Sequence, residues 1–451
     1  MFVQQFFIPG IAHSSYLVAG EKNCAIIDPA RDTERYVEAA DSRGYRITHI
    51  LETHLHADFI SGHLDLADAT RADIYAPEKA NCEFDHVPLK DGDKISIDNL
   101  RFDVLETPGH TPEMVSYTVT DLARGESPVA IFTGDTLFAG DVGRPDLFPG
   151  RARELASKLY DSLHDKILSL PDECLVYPAH GQGSLCGRSI GAMRITTIGY
   201  ERQSNRMLSM EREEMIQSLS ENMPPAPDHF SRCSEINRKG PVLMRSLTAP
   251  SSMKPEEFET NIRDGAYIID TRCYAAFSGQ FIPGSINIDN MGNVSIFAGW
   301  ITPPEKKAFI VTKPQYVPGI TKMLRRAGID HIAGYLDGGV HSWVTSGRYA
   351  DHIRMLSPPE VRDILQKGEA TLLDVRTSEE YETGHIEGAI NIMVMDLRHR
   401  WTELDMDEPY IVMCTTGIRA SIAASILKMN GFRDVSNAAG GYLGYQASLK
   451  K

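Results

Sequence analysis

The pattern of apolar and polar positions predicts α/β layers along the whole chain. In the first half, short apolar runs typical of β-strands each end at a polar loop that carries a histidine or an aspartate. These runs cover residues 25–28, 49–53, 101–107, 130–133 and 175–177. In the second half, β-like runs at 309–312 and 410–413 alternate with helix-like segments such as 420–429. Such alternation is typical of an open, mostly parallel sheet.

An internal repeat occupies the second half of the chain. The segments 268–272 and 281–287 recur, without a gap, as 372–376 and 385–391. Asp270 matches Asp374 in this repeat, and Asn287 matches Asn391 at the same separation. We therefore predict two small α/β domains of common design, each of about 100 residues.

Two stretches mark predicted domain boundaries. Three prolines within residues 222–228 end a helix-like segment that we place at 201–220. The second stretch lies near residues 351–359, where Ser357, two prolines and Glu360 are typical of a helix start. The predicted domains are residues 1–245, 251–350 and 355–451.

Composition limits the classes of partner. The chain has 451 residues and a formal net charge of −15, which argues against nucleic acid and anionic membranes as partners. Its seven cysteines include no C-x-x-C pair, a usage typical of a reducing compartment. No apolar run reaches the roughly 20 residues of a membrane-spanning helix. We predict a soluble cytoplasmic protein.

Four strand-end loops carry residue types that bind metals. They are Thr53-His-Leu-His-Ala-Asp-Phe59, Thr107-Pro-Gly-His-Thr111, Thr133-Gly-Asp-Thr136 and Tyr177-Pro-Ala-His-Gly181. Imidazoles and carboxylates at successive strand ends can converge on one transition-metal ion. One such histidine alone is more often a core or surface residue, but four matching loops favour a metal site.

These loops resemble the metallo-β-lactamase superfamily over about residues 1–245. The resemblance implies an αββα sandwich with its metal site at the edge of the sheets. The usual loop of that family is H-x-H-x-D-H, whereas Phe59 stands here at the last position. A phenyl ring cannot ligate a metal, so this departure favours a site for one ion. In this respect the sequence is similar to the persulfide dioxygenases. That resemblance implies His54, His110 and Asp135 as the ligands.

The implied ligand set also suggests which metal binds. Two histidines and one carboxylate are typical of mononuclear non-haem Fe(II) oxygenases, and activation of O₂ requires a redox metal. His56, Asp58 and His180 would then orient the ligands. If two zinc ions bind instead, these three residues become ligands, and the alternative is a glyoxalase-II-like thioester hydrolase.

Two further residues lie near these loops. Arg144, in a Gly-Arg-Pro-Asp stretch, could bind a substrate carboxylate or sulfonate, or could form a loop-stabilising ion pair with Asp146. Similar stretches in the persulfide dioxygenases favour substrate binding. Cys186 either lines the pocket or is a small buried thiol.

A cysteine loop connects a predicted strand and helix in the C-terminal copy. Residues 410–413 run into Cys414-Thr-Thr-Gly-Ile-Arg419, which precedes the helix-like segment 420–429. Backbone N–H groups and the positive end of a helix dipole both favour a thiolate at such a turn. Gly417 permits the tight curve, and Arg419 either fixes the loop or adds positive charge.

This loop resembles the rhodanese active-site loop, Cys-x-x-x-x-Arg, and the resemblance spans about residues 355–451. It implies that Cys414 carries a persulfide held by the amides of Thr415, Thr416, Gly417 and Ile418, with Arg419 beside it. The chemical alternative is a phosphatase, whose Cys-x-x-x-x-x-Arg loop is one residue longer. The shorter loop here suits a sulfur atom better than a phosphate. In the central copy the aligned segment 313–318 contains no cysteine, which indicates an inactive rhodanese-like domain.

The whole chain resembles bacterial persulfide dioxygenase–rhodanese fusions. The resemblance implies that thiol persulfides and O₂ give sulfite at the metal, and that Cys414 transfers sulfur to sulfite to give thiosulfate, as in sulfide detoxification. We also expect a homo-oligomer. Other hypotheses are a pure sulfurtransferase and a sensor that binds sulfur species without turnover.

Overall fold

The computed structural model describes residues 1–450 except Asn222, Pro224, Asp264 and Gly292. The predicted proline-rich joint at 222–228 therefore lies partly outside the described residues. The chain forms two compact units. The first contains Met1–Leu247 with Arg325–Gly328, and the second contains Thr248–Leu324 with Ile329–Lys451.

The first unit contains two six-stranded sheets. The first sheet follows chain order, with β1 (Phe2–Ile8), β2 (His13–Ala19), β3 (Asn23–Ile27), β4 (Arg46–Leu51), β5 (Asp73–Pro77) and β6 (Val87–Leu89). The later strands are β7 (Lys94–Ile97), β8 (Leu100–Glu106), β9 (Val115–Asp121), β10 (Ala130–Gly134), β11 (Leu137–Phe138), β12 (Asp141–Val142), β13 (Leu175–Pro178) and β14 (Thr196–Thr197). Apart from the β11–β12 hairpin, they form the second sheet in the order β14-β13-β10-β9-β8-β7.

Helices cover the outer faces of both sheets. They are α1 (Glu34–Asp41), α2 (His63–Thr70), α3 (Ala152–Asp161), α4 (Ile198–Ser204), α5 (Arg212–Ser220) and α6 (His229–Lys239). Alternating strand residues separate the cores: Tyr16 and Val18 pack between the sheets, whereas Leu17 and Ala19 pack against α1 and α2. On the second sheet, Ile131 packs towards α3 and α5. This layering confirms the predicted αββα sandwich.

The second unit contains two five-stranded parallel sheets of identical topology. The central copy comprises β15 (Ser251–Met253), α7 (Pro255–Ile262), β16 (Tyr267–Asp270), α8 (Tyr274–Gly279), β17 (Ser285–Asn287), α9 (Val294–Ile301), β18 (Ala308–Val311), α10 (Val317–Arg326), β19 (Ile332–Leu336) and α11 (Gly339–Thr345). The C-terminal copy comprises β20 (Arg354–Leu356), α12 (Pro358–Lys367), β21 (Thr371–Asp374), α13 (Ser378–Thr383), β22 (Ile390–Asn391), α14 (Leu397–Arg400), β23 (Tyr410–Met413), α15 (Ile418–Met429), β24 (Val435–Ala438) and α16 (Gly441–Leu449). The sheet orders are β15-β19-β18-β16-β17 and β20-β24-β23-β21-β22, which confirms the predicted repeat.

One apolar core continues through both copies. It includes Ile286 and Ile288 of the central copy together with Ala423 and Leu427 on α15. Within this contact, the Ser421 hydroxyl donates to Asn287 Oδ1 at 2.7 Å, and Asn287 N–H donates to Ser425 Oγ at 3.1 Å. The helix that follows the cysteine loop is therefore packed directly against the central copy.

Two predicted helix boundaries have different outcomes. α12 begins directly after Ser357, as predicted, and Ser357 and Glu360 form a capping box there. The single helix predicted at 201–220 is wrong, because α4 ends at Ser204 and α5 begins only at Arg212. The Asn205 side chain accepts from Met207 N–H and caps a short 3₁₀ turn that interrupts the helix.

Candidate metal centre and cysteine loop

Three of the predicted loops meet at one buried point. His54 follows β4, His110 lies between β8 and β9, and Asp135 follows β10. Asp135 Oδ2 lies 3.3 Å from His110 Nε2 and 3.9 Å from His54 Nε2. Among the described residues, none offers a hydrogen-bond partner to these three atoms, although all three are buried. The three atoms can therefore serve as ligands of a single cation.

The remaining polar atom of each ligand is held by a hydrogen bond. Thr53 Oγ1 donates to Asp28 and so must accept from His54 Nδ1, which lies 2.9 Å away. His110 Nδ1 donates to the Arg144 carbonyl at 2.8 Å, and Asp135 Oδ1 accepts from His180 Nδ1 at 2.7 Å. Because each Nδ1 carries the proton, each Nε2 lone pair faces the common point.

The protonation states suit a metal site. Burial lowers the pKa of His54 well below its ordinary value and also lowers the pKa of His110, so both rings are neutral. Burial opposes ionisation of Asp135, but the protonated His180 that contacts it outweighs burial and holds the pKa of Asp135 well below the usual range. Two neutral imidazoles and one carboxylate are the donor set that the sequence predicts for Fe(II).

The loops also meet because small residues let them approach. Gly134 has φ +52°, and a Cβ at this position would lie 2.6 Å from Thr53 Oγ1. Any larger residue would separate the loop of His54 from the loop of Asp135.

The predicted supporting residues flank this point. His180 lies between two carboxylates, with Nδ1 on Asp135 and Nε2 2.9 Å from Asp58 Oδ2. Burial opposes its protonation, but these two carboxylates outweigh it and raise the pKa of His180 well above its ordinary value. His56 points elsewhere, with Nε2 3.2 Å from Asp28 Oδ1. Phe59 packs on the His56 ring at 4.5 Å between centroids.

Two other groups of ligand-type residues lie nearby. They are Asp58 with His180 and Cys186, and Asp28 with Glu52 and His56. In each group a potential ligand is already engaged, because both nitrogens of His180 contact carboxylates and both oxygens of Asp28 accept from Thr53. The group of His54, His110 and Asp135 differs in that all three converging atoms face one another without a partner among the described residues.

The structure places Arg144 in the second of the two roles left open for it. Its side chain is only 2% exposed, and Nε and Nη2 donate to the two oxygens of Asp146 at 2.7 and 2.8 Å. Nη1 donates to the Leu185 carbonyl. The geometry favours the alternative, a loop-stabilising ion pair, and the backbone carbonyl of Arg144 orients His110.

Sequence reasoning missed Asn237, which holds the first metal loop. This buried residue on α6 donates from Nδ2 to the carbonyls of His56 and Phe59 at 2.8 and 2.9 Å, and Oδ1 accepts from Ser61 N–H. Asp28 performs a similar task at Thr53. Asn237 lies about 180 residues from the loop in the chain, so no local pattern connects them.

A cavity of about 490 Å³ opens beside the metal loops. Leu55, Ala57 and Thr111, neighbours of the ligand loops, form part of its wall together with Phe148 and Phe230. The wall is mainly apolar, and its ionisable residues are the buried Glu113 and the less buried Lys79, Arg151, Glu235 and Arg238. Such a cavity can accommodate a small organic molecule next to the cation point.

The cysteine loop has the predicted form. Cys414 follows β23 and is 1% exposed, and its Sγ accepts from Gly417 N–H at 3.1 Å. Gly417 has φ +107° and precedes the first residue of α15. Thr416 is exposed and Ile418 is half-buried. The loop thus directs the Gly417 N–H and the N-terminus of α15 towards the thiol.

Arg419 fixes this loop through a residue that the sequence did not single out. Its two terminal nitrogens donate to the two oxygens of Glu380, each at 2.7 Å. Thr415 Oγ1 also donates to Glu380, at 2.8 Å. Of the two roles predicted for Arg419, this geometry favours fixing the loop.

The central copy approaches the same loop from outside. Its Cys273 is exposed at the start of α8, and its neighbour Tyr274 lies against Gly417. A Cβ at Gly417 would lie 3.1 Å from the Tyr274 ring. As predicted, the segment 313–318 holds no cysteine, and a 3₁₀ turn at Pro314–Tyr316 replaces the cysteine loop.

Comparison with known families agrees with this architecture. The model described as "Metallo-beta-lactamase superfamily" matches residues 8–180, and the model "Rhodanese-like domain" matches residues 254–346 and 357–448. The solved structure of a metallo-beta-lactamase from Staphylococcus aureus subsp. aureus COL is 34% identical, with a TM-score of 0.67. The similarity covers 74% of this chain and 98% of that one. The chain belongs to the metallo-beta-lactamase superfamily. It carries two rhodanese-like domains after its metallo-beta-lactamase domain.

Two curated members of the superfamily differ in their named activities. "Persulfide dioxygenase ETHE1, mitochondrial" from Bos taurus is 29% identical over 243 residues, covering 52% of this chain and 87% of the relative. "Hydroxyacylglutathione hydrolase" from Rhodospirillum rubrum is 36% identical over 159 residues, covering 35% of this chain and 57% of the relative. The metallo-beta-lactamase domain is therefore homologous to both a dioxygenase and a hydrolase. Among the described residues, no helix combines the length and apolar character that crossing a membrane requires.

Proposed function

We propose that this protein oxidises low-molecular-weight thiol persulfides with O₂ to sulfite and then transfers sulfane sulfur from a second persulfide to that sulfite. The first reaction is RSSH + O₂ + H₂O → RSH + H₂SO₃. The second is RSSH + SO₃²⁻ → RSH + S₂O₃²⁻, carried by Cys414. The proposed domains are 1–245 for oxidation, 251–350 without a cysteine loop, and 355–451 for sulfur transfer.

The observation that carries the oxidation step is the buried triad of His54, His110 and Asp135. Its three converging atoms form a two-histidine, one-carboxylate set, and one cation there would retain open positions for other ligands. Bound Fe(II) would supply the redox chemistry that reaction with O₂ requires. Homology to persulfide dioxygenase over 87% of that relative supports the same assignment.

The chain's own residues prepare this site for a small thiol. The hydrogen bonds to Thr53, Arg144 and His180 fix the ligand orientations before a metal binds. The adjoining 490 Å³ cavity, with its apolar wall, can bury the carrier part of a persulfide and exclude water from the triad.

Cys414 supports the transfer step through a thiol–persulfide exchange. Its thiolate attacks the outer sulfur of RSSH, forming Cys–S–S⁻ and releasing RSH. Sulfite then attacks that outer sulfur, which forms S₂O₃²⁻ and regenerates the thiolate. The Gly417 N–H, 3.1 Å from Sγ, is placed to stabilise the negative charge on sulfur.

Metal analysis and an oxygen-electrode trace with glutathione persulfide test the oxidation step. We expect about one iron per chain and about one O₂ consumed for each sulfite equivalent formed. His110→Ala should lower uptake by more than about 100-fold, beyond the loss typical of a supporting residue. His49→Gln, a half-buried histidine on β4, is the matched control and should retain uptake.

A zinc-dependent thioester hydrolase is the second candidate, because hydroxyacylglutathione hydrolases share this domain at 36% identity over 159 residues. This candidate predicts zinc, hydrolysis of S-lactoylglutathione and no O₂ uptake. Those three results together would replace the proposed dioxygenase activity.

A further inference from the structure

One carboxylate in the C-terminal copy connects a helix to the cysteine loop. Glu380, on α13, accepts from Thr415 Oγ1 through Oε1 at 2.8 Å. Its Oε1 and Oε2 also accept from Arg419 Nη2 and Nη1, both at 2.7 Å. Glu380 thus contacts the residue directly after Cys414 and the residue at the far end of the loop.

The same carboxylate is anchored at its own helix. Oε2 accepts from Thr377 N–H at 3.0 Å, and Glu380 N–H donates to Thr377 Oγ1 at 3.2 Å, which together form the capping box of α13. The carboxylate of Glu380 is therefore held by hydrogen bonds from two sides, the first turn of α13 and the cysteine loop.

The central copy shows that the corresponding helix can form without a glutamate at this position. At the repeat separation that relates Asp270 to Asp374, Ala276 stands in the place of Glu380 and Cys273 in the place of Thr377. The corresponding helix, α8, still has six residues, the same length as α13, although Cys273 makes no side-chain cap. Glu380 is therefore missing from the copy that has no cysteine loop, and the helix persists without it.

Charge explains what the glutamate adds. Arg419 has its two terminal nitrogens on Glu380, so its cation is balanced by this carboxylate. Although burial opposes ionisation, Arg419 and Thr377 lower the pKa of Glu380 to about 2, so the partner remains anionic at neutral pH. The group that contacts Cys414 Sγ directly is the Gly417 N–H of the loop, at 3.1 Å.

We propose that Glu380 is a positioning residue for sulfur transfer, which holds Thr415 and Arg419 so that the loop amides face Cys414. This proposal rests on the sulfurtransferase activity proposed above. Glu380 does not contact the transferred sulfur in this role, because it acts through the two ends of the loop.

Thiosulfate-to-cyanide sulfur transfer by the full chain tests the proposal. Thiosulfate gives Cys–S–S⁻ and sulfite, and cyanide then removes the outer sulfur as thiocyanate. Glu380→Gln should lower kcat by about 10- to 100-fold, the cost of a small misplacement of reacting groups, with KM for thiosulfate within about twofold. Glu379→Gln, the exposed neighbour on the same helix, is the matched control and should retain the parental kcat.

Two further readouts separate positioning from general damage. If Glu380 acts through Arg419, the double variant Glu380→Gln/Arg419→Gln should be no more than about threefold slower than the slower single variant. Hydrogen exchange of the peptide covering residues 414–419 should speed up in Glu380→Gln, while exchange in the central copy stays unchanged.

Parental kcat in Glu380→Gln, or multiplying losses in the double variant, would overturn the proposal. Faster exchange in both copies would do the same, because it would indicate general destabilisation. An inactive parental protein would contradict the proposed sulfurtransferase function instead, and exchange of the loop would still report whether Glu380 holds it.

Discussion

The two rhodanese-like copies share the same hydrogen bonds and ion pair at equivalent Asp, Arg and Asn residues. In the central copy, Asp270 accepts from Arg272 Nε and Nη2 at 2.9 and 2.6 Å, and Asn287 Nδ2 donates to the carbonyls of both residues. In the C-terminal copy, Asp374, Arg376 and Asn391 repeat these contacts, with the ion-pair distances at 3.0 and 2.6 Å. The copies also share one strand order.

The copies differ where the chemistry is expected. In the C-terminal copy, Glu380 accepts from Thr415 and Arg419 of the loop that carries Cys414. The central copy has Ala276 at the position of Glu380 and a 3₁₀ turn at Pro314–Tyr316 in place of the cysteine loop. The scaffold of this fold therefore does not depend on the cysteine loop, since the central copy retains the scaffold without that loop.

The largest effect on stability should follow from breaking the shared scaffold. Asp374→Asn leaves the Arg376 side chain, 4% exposed, without its anion and should lower the free energy of unfolding by about 3–5 kcal/mol. Asp270→Asn should cost less, because Arg272 is 20% exposed. The three tryptophans, Trp300, Trp343 and Trp401, all lie in the second unit, so denaturant titration followed by their fluorescence measures this loss.

Equal unfolding free energies for Asp374→Asn and the parental protein would show that the shared ion pair is not a stabilising part of the scaffold. A larger loss at Asp270 than at Asp374 would contradict the ranking by exposure.

A smaller effect should distinguish the loop from an ordinary turn. Gly417→Ala and Gly388→Ala both place a side chain at positive φ, which costs about 1–2 kcal/mol in either case. Only Gly417→Ala also meets a neighbour, the Tyr274 ring at 3.1 Å, and moves the N–H that contacts Cys414. Sulfur transfer, measured as thiocyanate formation, should fall about tenfold in Gly417→Ala and stay near parental in Gly388→Ala. Equal transfer rates in the two variants would show that Tyr274 and the Gly417 N–H do not constrain the loop.

The sequence predicts the features that depend on local pattern. The strand-end loops that carry His54, His110 and Asp135 can be found from the sequence, because apolar runs predict the strands. Loops that follow neighbouring strands lie at the same edge of a sheet, so their side chains are expected to meet. The repeat, the helix start at Ser357 and the cysteine loop are equally local. The helix predicted at 201–220 fails, because the interruption depends on hydrogen bonding of the Asn205 side chain, which periodicity does not show.

Long-range contacts could not be predicted. Asn237 reaches the loop of His56 from a helix far along the chain, and Glu380 reaches Arg419 across 39 residues. For Arg144 the sequence left two roles open, and only the position of the Asp146 carboxylate distinguishes them. Repeat comparison alone does carry one such signal, since Glu380 is replaced by Ala276 in the copy without the cysteine loop.

The central claim is that one chain oxidises persulfide at the metal triad and transfers sulfur only at Cys414. Measuring O₂ uptake, sulfite and thiosulfate together, with glutathione persulfide as substrate, tests it in Cys414→Ser and in a control variant, Cys273→Ser, which changes the exposed cysteine of the central copy. We expect Cys414→Ser to retain O₂ uptake, to accumulate sulfite and to form thiosulfate at least about 1,000-fold more slowly, as when a nucleophile is removed. Cys273→Ser should match the parental protein. Thiosulfate formation at the parental rate in Cys414→Ser would contradict the account.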